Sequence, residues 1–359
     1  MDEEQNSAFA FEGNWKEYAP IAFTNLLLTI VTLGFYRFWA TTRTRRYLWS
    51  RTRFIDDRLE WTGTGGELFK GFLMVLVLLG LPFLFLQFGV QALVIRGMGG
   101  IAAALGFVAF ALIFYLGGVA RFRALRYRLS RTYWHGIRGG SDDGGWRFGW
   151  SYMWRNIVGV IPIYLMVPWA MISLWNARWN KMSFGPHGFR SNARVKPVFK
   201  RFLLFYLAPF LLAIVGVAYV ATIGGFIGSV FFHTNYPPVI AAIALVVVII
   251  GIYALLGLIA LAYYAAFLRE GIGSLRLENL DFKFEASTDD WLKLFFGDIL
   301  LVVATFGIGW IFIQYRHWSF FIKHLEAYGE IDLDALTQST TRESRHGEGL
   351  LDAMDVGAF

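Results

Sequence analysis

The chain has 359 residues, of which 56% are hydrophobic and only 16% are charged, with a mean hydropathy of +0.49 and a formal net charge of +7. Soluble domains carry about 25% charged residues, so this composition excludes an ordinary soluble protein and indicates a membrane protein. The absence of cysteine excludes disulfides, thiolate nucleophiles and cysteine metal sites. Because the arginines lie beside hydrophobic stretches, we expect them to serve membrane orientation and contact with anionic lipid, and we predict no nucleic-acid partner.

The first predicted elements follow the N-terminus. Segment 1–19 contains the alternating stretch FAFEG (9–13), which is typical of a short strand. Residues 25–47 then read NLLLTIVTLGFYRFWATTRTRRY, an apolar run followed by arginines. With two later segments it forms a set of three short apolar units, at 20–40, 150–175 and 294–313. Each unit is long enough for one crossing of the membrane but not for two. We predict helix breaks within these units at Gly34, Pro162, Pro168 and Gly307.

Four longer apolar segments contain no Asp, Glu, Lys or Arg, and they occupy 71–95, 97–120, 202–232 and 238–268. About 20 apolar residues cross the roughly 30 Å hydrocarbon core, so we predict four full transmembrane helices. Lys and Arg are concentrated in the connections 37–70, 119–149 and 176–202, whereas 225–238 contains neither. This bias places the basic connections in the cytoplasm, and the four helices form two hairpins that extend outward from it.

A repeated pattern links the first and last short units. Asn25 and Asp298 each begin a polar–apolar run that ends in Thr-Leu-Gly or Thr-Phe-Gly, and an arginine follows each of them after eighteen residues, at Arg43 and Arg316. Asn156 begins a looser middle copy. Strand-like stretches precede the membrane units, at 9–13, 59–63, 146–149, 182–191 and 282–286. We therefore predict a membrane domain at 20–330 made of five tandem modules, 20–58, 59–145, 146–181, 182–281 and 282–330, and a disordered tail at 331–359.

The predicted fold class is a mainly α, polytopic integral membrane protein with four full transmembrane helices, three short broken or re-entrant units and short cytoplasmic β-strands between them. Open sheet edges cannot face lipid, so the strands belong in a water-facing layer. Two topologies are open for the short units. Either all three re-enter and return to the strand layer, or the first and last units cross once and leave both chain termini outside. We favour re-entry, because single crossings would scatter the strands over both faces.

Polar residues within or beside the apolar units are the candidate functional groups. Asn25, Asn156 and Asp298 either cap helix starts or line a polar cavity shared between broken helices, as in transporters. A second set lies at helix ends and either fixes orientation with an aromatic belt or binds anionic lipid headgroups. Its arginines are Arg43, Arg45, Arg46, Arg123, Arg126, Arg128, Arg178 and Arg316, and its aromatic members are Tyr47, Tyr127 and Trp179.

Catalytic and cofactor signatures are missing from the sequence. The six histidines form no HExxH pattern, and no GxSxG, Ser-x-x-Lys or phosphate-binding loop occurs. We predict no enzyme activity, no metal site and no cofactor.

The stretch Phe11-x-Gly13 with Glu17 and Tyr18, followed by N-LLLT-x-x-TLG and R-x-RRY, resembles a YjgN-like family of bacterial inner-membrane proteins catalogued as a domain of unknown function. Residues 124–140, ALRYRLSRTYWHGIRGG, are similar to a second segment of that family, and the resemblance covers about 9–330. It implies a multi-pass protein of the bacterial inner membrane. The broken units slightly favour the prediction of a small-solute or ion transporter or channel. A non-transporting scaffold or anionic-lipid-binding protein is the alternative, and the oligomeric state stays open.

Overall fold

The computed structural model of the protein describes residues 7–219, 238–331 and 336–341, with the backbone alone at 78, 215–219, 238–245 and 247–249. The end of the predicted span 202–232 and nearly all of the predicted outer connection 225–238 lie outside the described residues. The protein is mainly helical, as predicted.

Within the described ranges the helices form five successive groups, which we call helix pairs one to five. The first pair is α1 (Trp15–Val31) and α2 (Arg37–Ser50). The second is α3 (Gly65–Val75), a π-helical turn (Leu76–Gly80), α4 (Leu81–Ile95) and α5 (Gly99–Ser130). The third and fourth are α6 (Trp146–Val160) with α7 (Val167–Trp179), and α8 (Lys196–Tyr219) with α9 (Pro238–Gly273). The fifth is α10 (Thr288–Ala304), a 3₁₀ turn (Ile308–Phe312) and α11 (Ile313–Lys323).

Short antiparallel strands join the helix pairs and make up the strand layer. They are β1 (Phe9–Phe11), β2 (Thr52–Phe54), β3 (Asp57–Arg58), β4 (Glu60–Trp61), β5 (Thr132–Trp134), β6 (Ile137–Gly140), β7 (Ser183–Phe184), β8 (His187–Ser191), β9 (Leu275–Leu277), β10 (Leu280–Phe284) and β11 (Leu325–Tyr328). Neighbours in sequence pair with each other, in the orders β1-β2-β3 and β4 through β11.

The strand predicted at 146–149 is wrong, because Trp146 begins α6 and the strand that precedes this helix is β6, at Ile137–Gly140. Over only four positions, alternating aromatic residues fit both the two-residue period of a strand and the 3.6-residue period of a helix. The pattern was therefore too short to distinguish a strand from a helix start. The glycine-rich end of β6, at Gly139 and Gly140, also carries little strand signal in the sequence.

Strand pairing shows that the three short units return to the strand layer. Phe9 of β1 lies opposite Phe54 of β2, so the chain before α1 and the chain after α2 lie side by side. In the same way Gly140 pairs with Ser183 around the third helix pair, and Phe284 pairs with Leu325 around the fifth.

The turns of the first and fifth pairs have the same backbone conformation. Leu33 and Gly34 have φ of 51° and 92°, and Phe306 and Gly307 have φ of 51° and 91°. The Gly34 amide donates to the Thr29 carbonyl (2.7 Å) and the Gly307 amide to the Val302 carbonyl (2.8 Å), a Schellman-type helix end.

The third pair turns differently. Ile163 and Tyr164 have positive φ beside Pro162, and Pro168 lies in the first turn of α7.

The helix pairs form a closed circuit. Each pair contacts the next, and α1 also contacts the 3₁₀ turn of the fifth pair. In the strand layer the Ser7 hydroxyl donates to Glu326 (2.6 Å), which links the two ends of the circuit. A core of Phe54, Trp134 and Leu280, taken from three different hairpins, closes the middle of the strand layer.

Three helical segments among the described residues are long and apolar enough to cross a membrane, namely Gly99–Ser130, Lys196–Ile214 and Ile250–Gly273. The shorter α4 continues from α3 through the π-helical turn, since Leu76 and Gly80 both keep right-handed helical dihedrals. The segment predicted as a span at 71–95 is therefore helical throughout. A π turn is a local bulge of the helix, so it does not end the segment.

Candidate functional site

A cavity of about 620 Å³ lies between the first and fifth helix pairs. It runs along α2 from Arg37, at the turn end, to Trp49, at the strand-layer end, a length of about 18 Å at 1.5 Å per residue. Trp49 stacks on Trp318 of α11 with ring centroids 4.1 Å apart, and the Trp318 indole donates to Thr52 of β2 (2.9 Å). The cavity therefore ends against the strand layer.

The lining of this cavity combines cations with aromatic rings. Arg37 and Arg45 come from α2 and Arg128 from α5, while His317 lies on α11. No aspartate or glutamate is among the described residues that line it. The aromatic side chains are Tyr18, Trp49, Trp291, Trp310, Trp318, Phe320 and Phe321. A positive site with apolar walls is suited to a ligand that is both anionic and partly apolar.

Asn25 is the one predicted cavity residue that lines the cavity. Its amide nitrogen donates to the Ala40 carbonyl and to Thr44 Oγ1, both at 3.3 Å. Its Oδ1 is buried without a hydrogen-bond partner, and so is the indole nitrogen of Trp291 on the opposite wall. Unpaired buried polar atoms are costly, so these two atoms can each gain by bonding to a ligand.

Asp298 lies behind the cavity wall. It is buried, and its two carboxylate oxygens lie 2.6 Å from Arg316 Nε and 2.6 Å from His317 Nε2. His317 also lines the cavity, so it connects the carboxylate to the ligand space.

Asn156 is separate from both other candidates. Its side chain donates to the Tyr152 carbonyl of its own helix (2.7 Å), and it does not line the cavity.

The capping interpretation of these three residues is wrong. Asn25, Asn156 and Asp298 all lie inside their helices, which begin earlier than the apolar runs. The caps of α1 and α10 are Asn14 and Ser287, at the junction of strand and helix. The amphipathic first turns of these helices extend out of the hydrophobic segments, and hydropathy alone therefore placed the helix starts too late.

The helix-end arginines separate into several groups. Arg43 and Arg46 are exposed. Arg123 and Arg126 donate to the carbonyls of Gly144 (3.0 Å) and Asp143 (2.7 Å), so they hold the loop after β6.

The aromatic residues predicted beside these arginines have structural contacts. The Tyr47 hydroxyl donates to the Asn14 carbonyl (2.8 Å) and the Tyr127 hydroxyl to Glu67 (3.1 Å). The Trp179 ring packs edge-on against Phe189, with centroids 5.1 Å apart. These three rings stabilise the junction of the helices with the strand layer.

Arg178 differs from the other helix-end arginines because it is buried, with 7% of its surface exposed. Its guanidinium lies over the Trp175 ring, 5.7 Å from the centroid. Burial, and then the positive charges of Arg128 and Arg121, lower the pKa of Arg178 to about 10. Arg178 therefore remains charged at neutral pH in a positive environment.

Part of the C-terminal tail contacts the strand layer. Of the tail predicted to be disordered, residues 336–341 are described, and they lie along the β5–β6 hairpin. The Gln338 amide there donates to the Gly136 carbonyl (2.8 Å) and accepts from the Arg138 amide (3.2 Å).

Over the described ranges no group of three or more His, Asp or Glu side chains is arranged to hold a metal ion.

Sequence reasoning did not single out most of the cavity. Arg37, Thr41, Arg45 and Leu48 recur along one face of α2 at helical spacing. That periodicity was the available signal. It was missed because the segment was treated as the end of a membrane unit rather than as a helix with a face of its own.

The fold and the cavity define a helical membrane protein with a strand layer at the ends of its helices. The chain belongs to the family described as bacterial protein of unknown function (DUF898), whose profile matches residues 6–353. The resemblance predicted from the sequence is thereby confirmed.

Curated relatives of the chain are inner membrane proteins. One, the inner membrane protein YjgN of Salmonella typhimurium, is 27% identical over 162 residues, which are 45% of this chain and 36% of the relative. The protein of the same name from Escherichia coli is 24% identical over 240 residues, 57% of each chain. The chain thus spans less than two thirds of the length of these relatives. No solved structure matches it.

Proposed function

We propose that this protein is a multi-pass inner-membrane protein that binds an anionic amphiphile in the cavity between the first and fifth helix pairs. The observation that carries the proposal is the lining of that cavity, where Arg37, Arg45 and Arg128 lie among aromatic walls without a carboxylate from the described residues. Membrane lipids with anionic headgroups are the nearest ligands of this chemistry.

The proposed topology has four crossings, α3–α4, α5, α8 and α9, with the strand layer in the cytoplasm. The basic helix ends near the strand layer support this orientation, since Lys and Arg are retained on the cytoplasmic side. The first, third and fifth pairs enter the bilayer and return. Leu33 and Phe306, at the turns of the first and fifth pairs, are 89% and 97% exposed, and an apolar tip of this kind favours burial in lipid.

The cavity would hold an amphiphile lengthwise. Arg45 and Arg128 lie at its strand-layer end, where a charged headgroup would meet the cytoplasmic interface. Leu26, Trp310 and Ile313 form apolar walls towards the turn end, where an acyl chain could continue into the membrane. The proposed role is binding, since a cation and an apolar wall are what an anionic amphiphile requires of its site.

The test compares two variants of α2 by mass spectrometry of co-purified lipid. Thr41→Glu places a carboxylate in the cavity, whereas Arg43→Glu changes the net charge further but at an exposed position outside the lining. Anionic lipid should be enriched over the bulk membrane with wild type and Arg43→Glu and lost with Thr41→Glu. Thr41→Trp, which fills the cavity without charge, should lose it too. Equal lipid content in all four proteins would overturn the proposal.

Transport of a small anion is a second candidate, favoured by one observation. The cavity lies between two helix pairs with matching broken turns, at Gly34 and Gly307, and such breaks often border transport sites. Proteoliposomes should then carry an anion flux that Asp298→Ala alters. Absence of flux for inorganic and organic anions alike would leave binding as the function.

A further inference from the structure

Asn25 has a buried side-chain oxygen that the described part of the protein leaves without a hydrogen-bond donor. The side chain is 7% exposed, and its nitrogen donates to the Ala40 carbonyl and to Thr44 Oγ1, both at 3.3 Å. A carbonyl only accepts, so the nitrogen faces Ala40 and the oxygen points elsewhere. Among the described residues no donor reaches Asn25 Oδ1. An unpaired buried acceptor is costly, and native proteins contain few of them.

The hydroxyl groups around Asn25 are directed at other atoms. The Thr29 hydroxyl donates to the backbone carbonyl of Asn25 (2.6 Å). The Tyr18 hydroxyl lies 3.4 Å from the Ile311 carbonyl and 3.5 Å from Thr44 Oγ1. All of these residues line the cavity. The cavity is therefore the place from which a donor to Asn25 Oδ1 can come.

The fifth helix pair satisfies the equivalent position with its own side chains. Asp298 stands at the same place in the sequence pattern as Asn25. Its two oxygens lie 2.6 Å from Arg316 Nε and 2.6 Å from His317 Nε2. Arg43 follows Asn25 at the spacing at which Arg316 follows Asp298, but Arg43 is exposed and does not bond to Asn25 Oδ1. The first pair thus leaves beside the cavity an acceptor that the fifth pair satisfies internally.

Two further side chains of the cavity wall offer hydrogen bonds to a ligand. Trp291 Nε1 on α10 is a buried donor, also without a partner among the described residues. The Trp291 ring packs edge-on against Phe320, with centroids 4.8 Å apart. His317 on α11 contacts Asp298 through Nε2, and a carboxylate accepts, so Nε2 carries the proton of that bond. The side chain of His317 is 52% exposed, and its Nδ1 makes no hydrogen bond within the described ranges.

Hydroxyl groups are the ligand chemistry that fits these three atoms. Asn25 Oδ1 requires a donor and Trp291 Nε1 requires an acceptor, and a hydroxyl group is both. A hydroxyl group also fits His317 Nδ1, which accepts in the neutral ring and donates in the charged ring. An ammonium group is a donor as well, but Arg37 and Arg45 make the cavity positive and repel it. Ester carbonyl and ionised carboxylate oxygens only accept, so they cannot serve Asn25.

The position of Asn25 brings these hydroxyl groups close to the charged end of the cavity. Asn25 contacts α2 at Ala40 and Thr44, and Arg45 follows Thr44 directly. At 1.5 Å per residue these contacts lie within about 8 Å of Arg45 along the helix axis. In an anionic glycerolipid, glycerol units lie at this short distance from the phosphate. The terminal torsion of an asparagine side chain is broad, so a small rotation turns Oδ1 towards such a unit.

We propose that Asn25, Trp291 and His317 bind a hydroxyl-bearing part of the ligand, so that the cavity selects anionic amphiphiles with free hydroxyl groups near the phosphate. The hydroxyl groups belong either to a glycerol headgroup or to a glycerol backbone that carries a single acyl chain. This inference rests on the proposed function, because it names the class of amphiphile that the same cavity binds.

The experiment uses the full chain in detergent and lipids matched in charge. Phosphatidylglycerol is compared with phosphatidylpropanol, which has the same charge, acyl chains and headgroup length but no hydroxyl group. Lysophosphatidylpropanol is compared with its 2-O-methyl ether, which lacks the hydroxyl of the glycerol backbone. Native mass spectrometry measures the four affinities. Wild type should bind the hydroxyl-bearing member of at least one pair about fivefold or more tightly, and that pair identifies the source of the hydroxyl group.

Asn25→Leu is the decisive variant, with Asn156→Leu as the matched control. Leucine is close to asparagine in shape and lacks the acceptor, so the preference for the hydroxyl-bearing lipid should fall to about twofold or less. The affinity for phosphatidylpropanol should stay within about twofold of wild type, since that lipid has no donor for Asn25. Asn156 bonds to the Tyr152 carbonyl of its own helix and does not line the cavity, so Asn156→Leu should keep the full preference.

Trp291→Phe is a second, independent variant that keeps an aromatic ring in the wall and removes the indole N–H. It should reduce the same preference by about threefold or more, and it tests the inference even where Asn25→Leu does not fold. An unchanged preference in the folded variants would overturn the inference.

The failures of the two proposals are distinguishable. If wild type binds both members of each lipid pair equally, the cavity binds anionic amphiphiles but selection for hydroxyl groups is refuted. If wild type binds none of the four lipids, the proposed function fails and this inference fails with it.

Discussion

Asp298 and His317 lie 2.6 Å apart across the fifth helix pair and nineteen residues apart in the chain. Asn25 and Thr44 make the corresponding contact in the first pair, at 3.3 Å and the same sequence separation. The two pairs thus share a cross-helix contact at one position but use different chemistry there: an aspartate that also pairs with Arg316 in the fifth pair, and an amide in the first.

The ionic version should stabilise the fifth helix pair. Asp298→Asn removes the charge that holds both Arg316 and His317, and we expect it to lower the free energy of unfolding by about 1–3 kcal/mol. The control is Asp289→Asn on the same helix, whose pair with Lys293 is exposed to solvent, so its loss should lower the free energy of unfolding much less. Denaturant unfolding in detergent measures both. Equal effects of the two substitutions would mean that burial does not strengthen the Asp298 contacts.

The residues that form the helix turns were easier to predict from the sequence than the residues that contact Asn25 and Asp298 across each helix pair. Thr-Leu-Gly and Thr-Phe-Gly stand where α1 and α10 end, because a helix end in the left-handed conformation has a local signature. The cross-helix partners of Asn25 and Asp298 have no such signature. They depend on how two helices pack, and sequence spacing alone did not identify Thr44 or His317.

The cavity was the least predictable feature. Its walls come from the two ends of the chain, α1–α2 and α10–α11, together with Arg128 of α5. Only closure of the helix-pair circuit brings these segments together. The sequence contained the arginines and aromatic residues, but it did not indicate which of them meet.

A second prediction concerns the matched turns. Gly34 has φ of 92° with open space around it, so Gly34→Ala should cost about 1–2 kcal/mol through backbone strain alone. Gly66 in the first turn of α3 also has open space but lacks a positive φ, and Gly66→Ala should stabilise by about 0.4–1 kcal/mol. Thermal unfolding of both variants tests the pair. A neutral Gly34→Ala would mean that the turn can relax to an ordinary conformation.

A third prediction tests the proposed topology with single cysteines, which the cysteine-free chain permits. Asp57→Cys, at the exposed start of β3, and Asn279→Cys, in the exposed turn between β9 and β10, should react with an impermeant thiol reagent only after cells are permeabilised. Arg96→Cys, at the α4–α5 turn, should react in intact cells. Leu33→Cys should resist labelling in both conditions because the turn of the first pair is embedded in lipid.

Two labelling outcomes would contradict the proposed topology. Labelling of Asp57→Cys or Asn279→Cys from outside would reverse the orientation of the strand layer. Labelling of Leu33→Cys in intact cells would show that the first helix pair reaches the outer surface.

A last prediction concerns the described part of the tail. Gln338 supplies the acceptor for the Arg138 amide and donates to Gly136, so the tail completes the hydrogen bonds of the β5–β6 hairpin. Gln338→Ala leaves the Arg138 amide without that acceptor, and hydrogen exchange at this amide should accelerate about tenfold, the equivalent of about 1.4 kcal/mol. The hydrogen bonds of Gln338 go to the β5–β6 hairpin and to Ser339, so the hairpin β9–β10 serves as the control and should exchange at the wild-type rate. Faster exchange in both hairpins would indicate general loosening of the strand layer, and unchanged exchange in both would mean that the tail contact contributes nothing to the hairpin.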